Sequence, residues 1–271
     1  MRAWSVALVV GVAMCVPGLA CEGSSTATTV PTRSAAPAAH PPTTLAARLA
    51  ATDTALHRSL DTWRRSDPGL RRPPPAGTLA LATRERVLVS LLARRRVIAR
   101  RTLAALPRRL RAAIHSDLNA ARDLRRLTGP PSPSLRLVPA PPAGRLLADY
   151  RQAQRRFGVP WQILAAINLV ETAFGRVVNR SSAGARGPMQ FMPSTWQAYG
   201  LGGDISSPRD AILGAANYLR QSGAPADIRQ ALYAYNPSRL YVQAVLAYAG
   251  VIRRDPLGFL TYYAWEASLP R

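Results

Sequence analysis

Lysine is absent from all 271 residues, so every one of the 36 basic side chains is arginine, set against 14 acids. Cysteine occurs twice, at Cys15 and Cys21, and Cys15 lies in an N-terminal apolar run. If that run is removed, no internal disulfide can form. The three histidines are His40, His57 and His115. Residues 146–271 therefore hold neither His nor Cys, which excludes a Ser-His or Cys-His nucleophile pair and an HExxH zinc site there. No glycine-rich phosphate loop is present, and no cofactor or metal is expected. Carboxylates are the strongly reactive groups that remain in this segment: Asp149, Glu171, Asp204, Asp210, Asp227, Asp255 and Glu266.

What is present is unevenly charged. Residues 146–271 carry 13 arginines against 7 acids (+6), and residues 1–145 carry 23 against 7 (+16). Such a balance attracts polyanions. Arg2 precedes an uncharged run from Ala3 to Ala20, which reads as a secretory signal over residues 1–20. Export removes nucleic acid from the expected partners and leaves wall and membrane. The GLAC at 18–21 resembles a bacterial lipobox, which makes Cys21 a candidate for lipid attachment. An exported envelope protein, lipid-anchored on the outer face of the cytoplasmic membrane or else secreted, is the expectation.

Residues 21–44 are Ser, Thr, Ala and Pro with hardly a large apolar side chain, and read as a disordered tether. Residues 45–128 read as a helical segment, with one helix around Leu45 to Leu60 and two more over 79–106 and 108–127, parted at Pro107. The proline-rich stretch 129–145 is the expected linker, and 146–271 a second helical domain. In that domain, Ile163, Ile167, Val170 and Phe174 predict one apolar helix face, with Gly175 as the stop. Ser207-Pro208-Arg209-Asp210 predicts a capped helix start, and further helices follow over 228–233 and 240–252. The fold class is all-α.

Glu171 stands out, in the last turn of an otherwise apolar helix (ILAAINLVETAFG). Desolvation and the negative end of the helix dipole both favour its protonated form. A general acid needs such a carboxyl. Glu266, in YYAWEASLP, reads as structural.

Three stretches come in order: ETAFGR, SSAGARGPMQFMPSTW and ALYAYNPS. Together they resemble the catalytic domain of bacterial lytic transglycosylases of the soluble, goose-type-lysozyme-like group, over about Leu147 to Ile252. The resemblance implies a lysozyme-like domain acting on peptidoglycan glycan strands, with Glu171 as the single acid/base. It implies substrate contacts from Ser181 or Ser182, from Gly187, Met189 and Gln190 in the groove loop, and from Tyr235 and Asn236. Thr172 stands where the family has Ser, and Pro237-Ser238 replaces a small-Gly pair. With one carboxylate, the sugar's 2-acetamido oxygen would attack the anomeric carbon, with Tyr235 or Ser181 polarising it. The loop would offer Gly184 and Gly187 for close approach, Gln190 for hydrogen bonds, and Met189 and Phe191 for sugar faces, with Trp196 read as core packing ahead of sugar stacking.

Two other readings stand beside this one. One is a hydrolytic muramidase in which Asp204 holds the water. The other is a non-catalytic wall-binding or scaffold lipoprotein in which residues 45–128 do the main work; anionic wall polymers are a further candidate partner of the chain.

Overall fold

The computed structural model describes residues 42–128 and 135–268; the apolar run read as a signal, Cys21, the stretch read as a tether up to residue 41 and residues 129–134 of the expected linker lie outside them. The described residues form eleven helices, with no strand pairing beyond two isolated bridges, so the chain is all-α. The first four are α1 (Pro42–Ser66), α2 (Ala76–Arg94), α3 (Arg96–Ala105) and α4 (Arg108–Thr128). After the linker come α5 (Ala143–Phe157), α6 (Trp161–Thr172), α7 (Pro193–Tyr199) and α8 (Pro208–Gln221). The last three are α9 (Ile228–Tyr235), α10 (Arg239–Arg254) and α11 (Gly258–Ala267).

Several helices differ from the sequence expectation, and α7 and α11 were not expected at all. Helix α1 begins at Pro42, inside the stretch read as tether. The helix expected over 79–106 is two, broken at Arg95. The break frees carbonyls at the end of α2, and α4 supplies their donors: Arg122 Nε and Arg125 donate to the Ala93 carbonyl at 3.1 and 3.2 Å. A helix end with its carbonyls met this way costs little. Helix α11 was not foreseen, because it is buried on all sides and so lacks an amphipathic period. The start of α8 follows expectation: Ser207 Oγ accepts the Asp210 N–H.

One apolar core runs from Leu45 of α1 to Trp265 of α11. Helix α4 lies along α10, α2 packs on α1, α4 and α11, and α10 packs on α6. Buried Leu110, Ile114 and Leu118 of α4 and Val245, Tyr248 and Ile252 of α10 belong to this core. Deleting one such side chain to Ala costs roughly 2–5 kcal/mol.

Polar ties join the same helices. Trp265 Nε1 donates to Glu85 Oε2 at 3.0 Å, Tyr262 donates to Asp117, and His57 Nε2 lies 2.7 Å from Asp255 Oδ2. Burial pushes the Glu85 carboxyl up to about 8, helped by nearby Asp53, and the Asp117 carboxyl up to about 7 against the Tyr262 bond. Glu266 is buried beside Arg86, whose Nε is 3.7 Å from its Oε1. That accords with a structural Glu266.

Candidate active site

Helix α6 is the centre of the site. The expected single apolar face is instead a helix buried all round: every residue from Ile163 to Thr172 is buried, because α5, α8 and α10 each pack against it. It ends abruptly. Ala173, Phe174 and Gly175 all have positive φ, at 52°, 63° and 81°. Left-handed backbone at Ala and Phe costs about 1–3 kcal/mol each. Phe174 offsets this by full burial, edge-on to Phe259 with ring centroids 5.5 Å apart. The reversal leaves Glu171 next to last in the helix, at the negative end of its dipole.

Glu171 is 3 % exposed. Burial raises its carboxyl to about 8, against the opposing hydrogen bond from the Tyr241 hydroxyl, which donates to Oε1 at 2.8 Å. Burial and that hydroxyl account for the shift, and no other described acid contributes. At neutral pH Glu171 is therefore mostly protonated. Tyr241 is fully buried at the start of α10, its ring stacked on Tyr235 at 6.5 Å and 9°. Burial, first of all, holds its own hydroxyl well above the usual tyrosine value, so it stays a donor. Sequence reasoning missed Tyr241. It lies 70 residues from Glu171 in an ordinary apolar helix pattern, and nothing local marks it.

The loop after α6 closes on itself where Arg186 and Phe191 exchange backbone hydrogen bonds at 2.9 Å. Between them, residues 187–190 are pinned by backbone carbonyls. Thr172 Oγ1 and Asn168 Nδ2 donate to the Pro188 carbonyl at 2.6 and 2.8 Å, and Tyr235 donates to the Met189 carbonyl at 2.6 Å. Tyr150 in turn donates to Asn168 Oδ1 at 2.6 Å. The Thr172 hydroxyl also accepts the Gly175 N–H at 3.0 Å, so it ties helix end to loop. The hydroxyl that Thr shares with Ser is the group in use.

The site residues expected from sequence occupy different settings here. Ser181 is buried, and its Oγ accepts the Ala185 N–H at 2.9 Å, which leaves its own proton to donate. Ser182 is exposed. Gln190 is buried at φ 49°; its amide nitrogen donates to the Gly187 carbonyl at 3.1 Å, while its Oε1 has no partner among the described residues. Asn236 is buried at the end of α9.

Met189 and Phe191 are buried at 0 % and 2 %, packed into the core, so their faces are not open to a sugar. Phe191 meets the Trp196 and Tyr235 rings edge-on at 5.2 and 5.9 Å. Gly187 (φ +73°) serves the protein's own close approach, since a Cβ there would lie 1.9 Å from the Ile205 carbonyl. Gly184 (φ +92°) faces open space. Asp204 is exposed, and its Oδ1 accepts the Ser206 N–H at 2.8 Å in a local turn.

The linker also braces the site. Val138 N–H donates to the Arg176 carbonyl and Val178 N–H to the Arg136 carbonyl, at 2.8 and 3.2 Å. Leu135 and Leu137 thereby pack on Ala173 and Val177, directly behind the end of α6.

Comparison with known proteins agrees with this geometry. Residues 150–251 match the family model of the Transglycosylase SLT domain. A membrane-bound lytic murein transglycosylase F of Thiobacillus denitrificans (strain ATCC 25259 / T1) is 31% identical over 119 residues, which is 41% of this chain and 25% of the relative. The chain thus spans about a quarter of that relative's length. No solved structure matches. Helix α6 with its glutamate, the pinned loop and the Tyr235–Tyr241 pair all fall inside the stretch that matches the transglycosylase SLT domain.

Proposed function

We propose that this chain cleaves the β-1,4 bond between N-acetylmuramic acid and N-acetylglucosamine in peptidoglycan without consuming water, with Glu171 as sole acid/base. The observation that carries this reading is the buried Glu171 carboxyl, protonated at neutral pH, bonded to Tyr241 and shifted by no second carboxylate. The usual glycosidase needs two carboxyl groups, and substrate-assisted cleavage is the recognised alternative. Glu171 gives its proton to the glycosidic oxygen as the C1–O bond breaks, and the sugar's 2-acetamido oxygen closes on C1. The Glu171 carboxylate then takes the proton of the C6 hydroxyl, and O6 displaces the acetamido oxygen from C1. The product is a 1,6-anhydro sugar.

Ser181 is the better placed of the two candidates for the acetamido group. Its hydroxyl proton is uncommitted, whereas the Tyr235 proton is given to the Met189 carbonyl. The Gln190 Oε1 and Asn236, both buried near the loop and the end of α9, suit the amide and hydroxyls of a glycan. Export, and attachment through Cys21, rest on the apolar run and the GLAC that ends it.

Digestion of purified sacculi followed by mass spectrometry tests the reading. Glu171→Gln should cost a factor of ~10²–10⁴ in rate, Asp204→Asn should keep most activity, and released chains should end in anhydromuramic acid. Reducing ends heavier by one water, or Asp204→Asn as inactive as Glu171→Gln, would establish a two-carboxylate hydrolase.

A further inference from the structure

Helix α4 carries a stripe of basic side chains. Arg108, Arg111, His115, Arg122 and Arg126 follow one another at steps of 3, 4, 7 and 4 residues, which places them on one face of the helix. Two concave pockets of about 520 and 530 Å³ run along this face and share Arg96 and Arg122. Arg96 and Arg100 of α3 form one wall of the first, and Gln243 and Ala247 of α10 line the second. From Arg108 to Arg126 the stripe is ~27 Å long at 1.5 Å per residue.

The positive charge in this trough far outnumbers the negative, with Asp123 beside Arg126 as its one partial counterweight. None of Arg96, Arg100, Arg108, Arg111, Arg122 and Arg126 has an ion pair within 4.0 Å among the described residues. Asp123 is the one acid in its lining. Two of the guanidiniums are held by backbone rather than by carboxylates: Arg111 donates to the Ala104 and Leu106 carbonyls, and Arg122 to that of Ala93. Burial and then repulsion from Arg96, Arg125 and Arg126 lower the proton affinity of Arg122, a sign of crowded like charge.

We infer that this trough binds the phosphodiester backbone of a linear anionic polymer lacking bases, lying along α4. Arginine forks match phosphate oxygens with paired N–H bonds. The surface is concave and elongated, which suits a single chain better than the plane of a bilayer. No Phe, Tyr or Trp lines it, so nucleobases would find no ring to stack on. The choice of a wall-type polymer rests on the envelope reading above, but the site does not use Glu171. Tyr241 and Gln243 lie about 200° apart around α10 at 3.6 residues per turn, so the acid and the trough are served by opposite sides of that helix.

The test is fluorescence anisotropy of the full chain with labelled poly(glycerol phosphate), with lysis of sacculi measured separately. The triple variant Arg96→Gln/Arg100→Gln/Arg108→Gln removes exposed guanidiniums that cap no helix. It should bind at least ~10-fold more weakly and show a flatter salt dependence. A control triple, Arg58→Gln/Arg71→Gln/Arg151→Gln, removes equal charge elsewhere on the surface and should change binding less than ~2-fold. Equal losses in both triples, or no binding by the parent chain, would overturn the inference. Vesicles containing phosphatidylglycerol that bind with the same three-arginine dependence would overturn it in favour of a membrane surface. Lysis kept while polymer binding is lost separates this site from the catalytic reading; lysis absent with polymer binding intact refutes that reading alone.

Discussion

Replacing Tyr241 with phenylalanine removes the hydroxyl that donates to Glu171 Oε1 at 2.8 Å and leaves the ring stacked on Tyr235. The donor favours the charged carboxylate over the neutral acid. A hydrogen bond to a charged group is worth ~1.5–3 kcal/mol and one between neutral groups ~0.5–1.5, so the difference lost is about 1–1.5 kcal/mol. At 1.36 kcal/mol per unit, Glu171 should titrate about one pH unit higher than its present value. That value is about 8. If Glu171 must be protonated to start the reaction, the alkaline limb of the rate profile is its titration, and the limb should move to higher pH in the variant. The maximal rate should fall as well, because the carboxyl loses the contact that orients it. The assay is muropeptide release measured across the pH range for both proteins. A limb that stays in place, or moves to lower pH, would refute the assignment of that limb to Glu171 and of Tyr241 as its positioning residue.

Other perturbations probe the frame around the acid. Thr172→Val keeps the shape but strips the hydroxyl from the Pro188 carbonyl and the Gly175 N–H. It should cost ~1–3 kcal/mol in thermal unfolding and a large part of the activity, whereas Thr172→Ser should cost far less; more damage from Thr172→Ser than from Thr172→Val would place the role in the methyl group. Gly187→Ala sets a Cβ 1.9 Å from the Ile205 carbonyl, while Gly184→Ala meets nothing within 4 Å. Both pay for left-handed backbone, ~1–3 kcal/mol, so any excess loss of melting temperature in the first measures the clash, and no excess would refute the loop packing. Glu85, Asp117 and Glu171 are raised to about 8, 7 and 8, and His57 to about 9, chiefly by its hydrogen bond to Asp255. Each binds its proton more tightly folded than unfolded, so the stability these four groups contribute is fully present below about pH 4 and is lost as pH rises through those values. The melting temperature should fall between pH 5 and 9, and Asp255→Asn should remove the last step, near 9; a flat or rising profile would contradict the burial of these groups.

Much of this molecule was legible in the sequence where the signal is local. Ser207 and Asp210 mark the start of α8 by a side chain that has to bond a nearby N–H, and the structure shows that bond. Glu171 stood out as a carboxylate in an apolar run, and burial has the effect on its proton that such a run implies. What was not legible depends on contacts between distant segments. The break at Arg95 is permitted by Arg122 and Arg125 reaching back from α4. Met189 and Phe191 look like sugar-facing apolar residues in a loop, yet both turn inward, because the loop's carbonyls are held by Thr172, Asn168 and Tyr235. A loop anchored through its backbone is free to bury its side chains, and composition alone gives no sign of the anchors.

Helix α10 shows why the N-terminal helices matter to the site even though none of their residues touches Glu171 among the hydrogen bonds described. Tyr241 reaches the acid from one side of α10, and α4 lies along the same helix. Its far end is held by Asp255, which bonds His57 of α1 and thereby titrates below the usual carboxylate range although burial opposes it. The position of the Tyr241 hydroxyl is thus fixed from two directions: by Tyr235 and α6 on the Glu171 side, and by α1 and α4 on the other. A shift of α10 by a few tenths of an ångström would lengthen the 2.8 Å bond to Glu171 toward the limit of hydrogen bonding and raise the proton affinity of the acid. Residues 45–128 therefore bear on Glu171 through packing, whether or not the arginine trough on their outer face is filled.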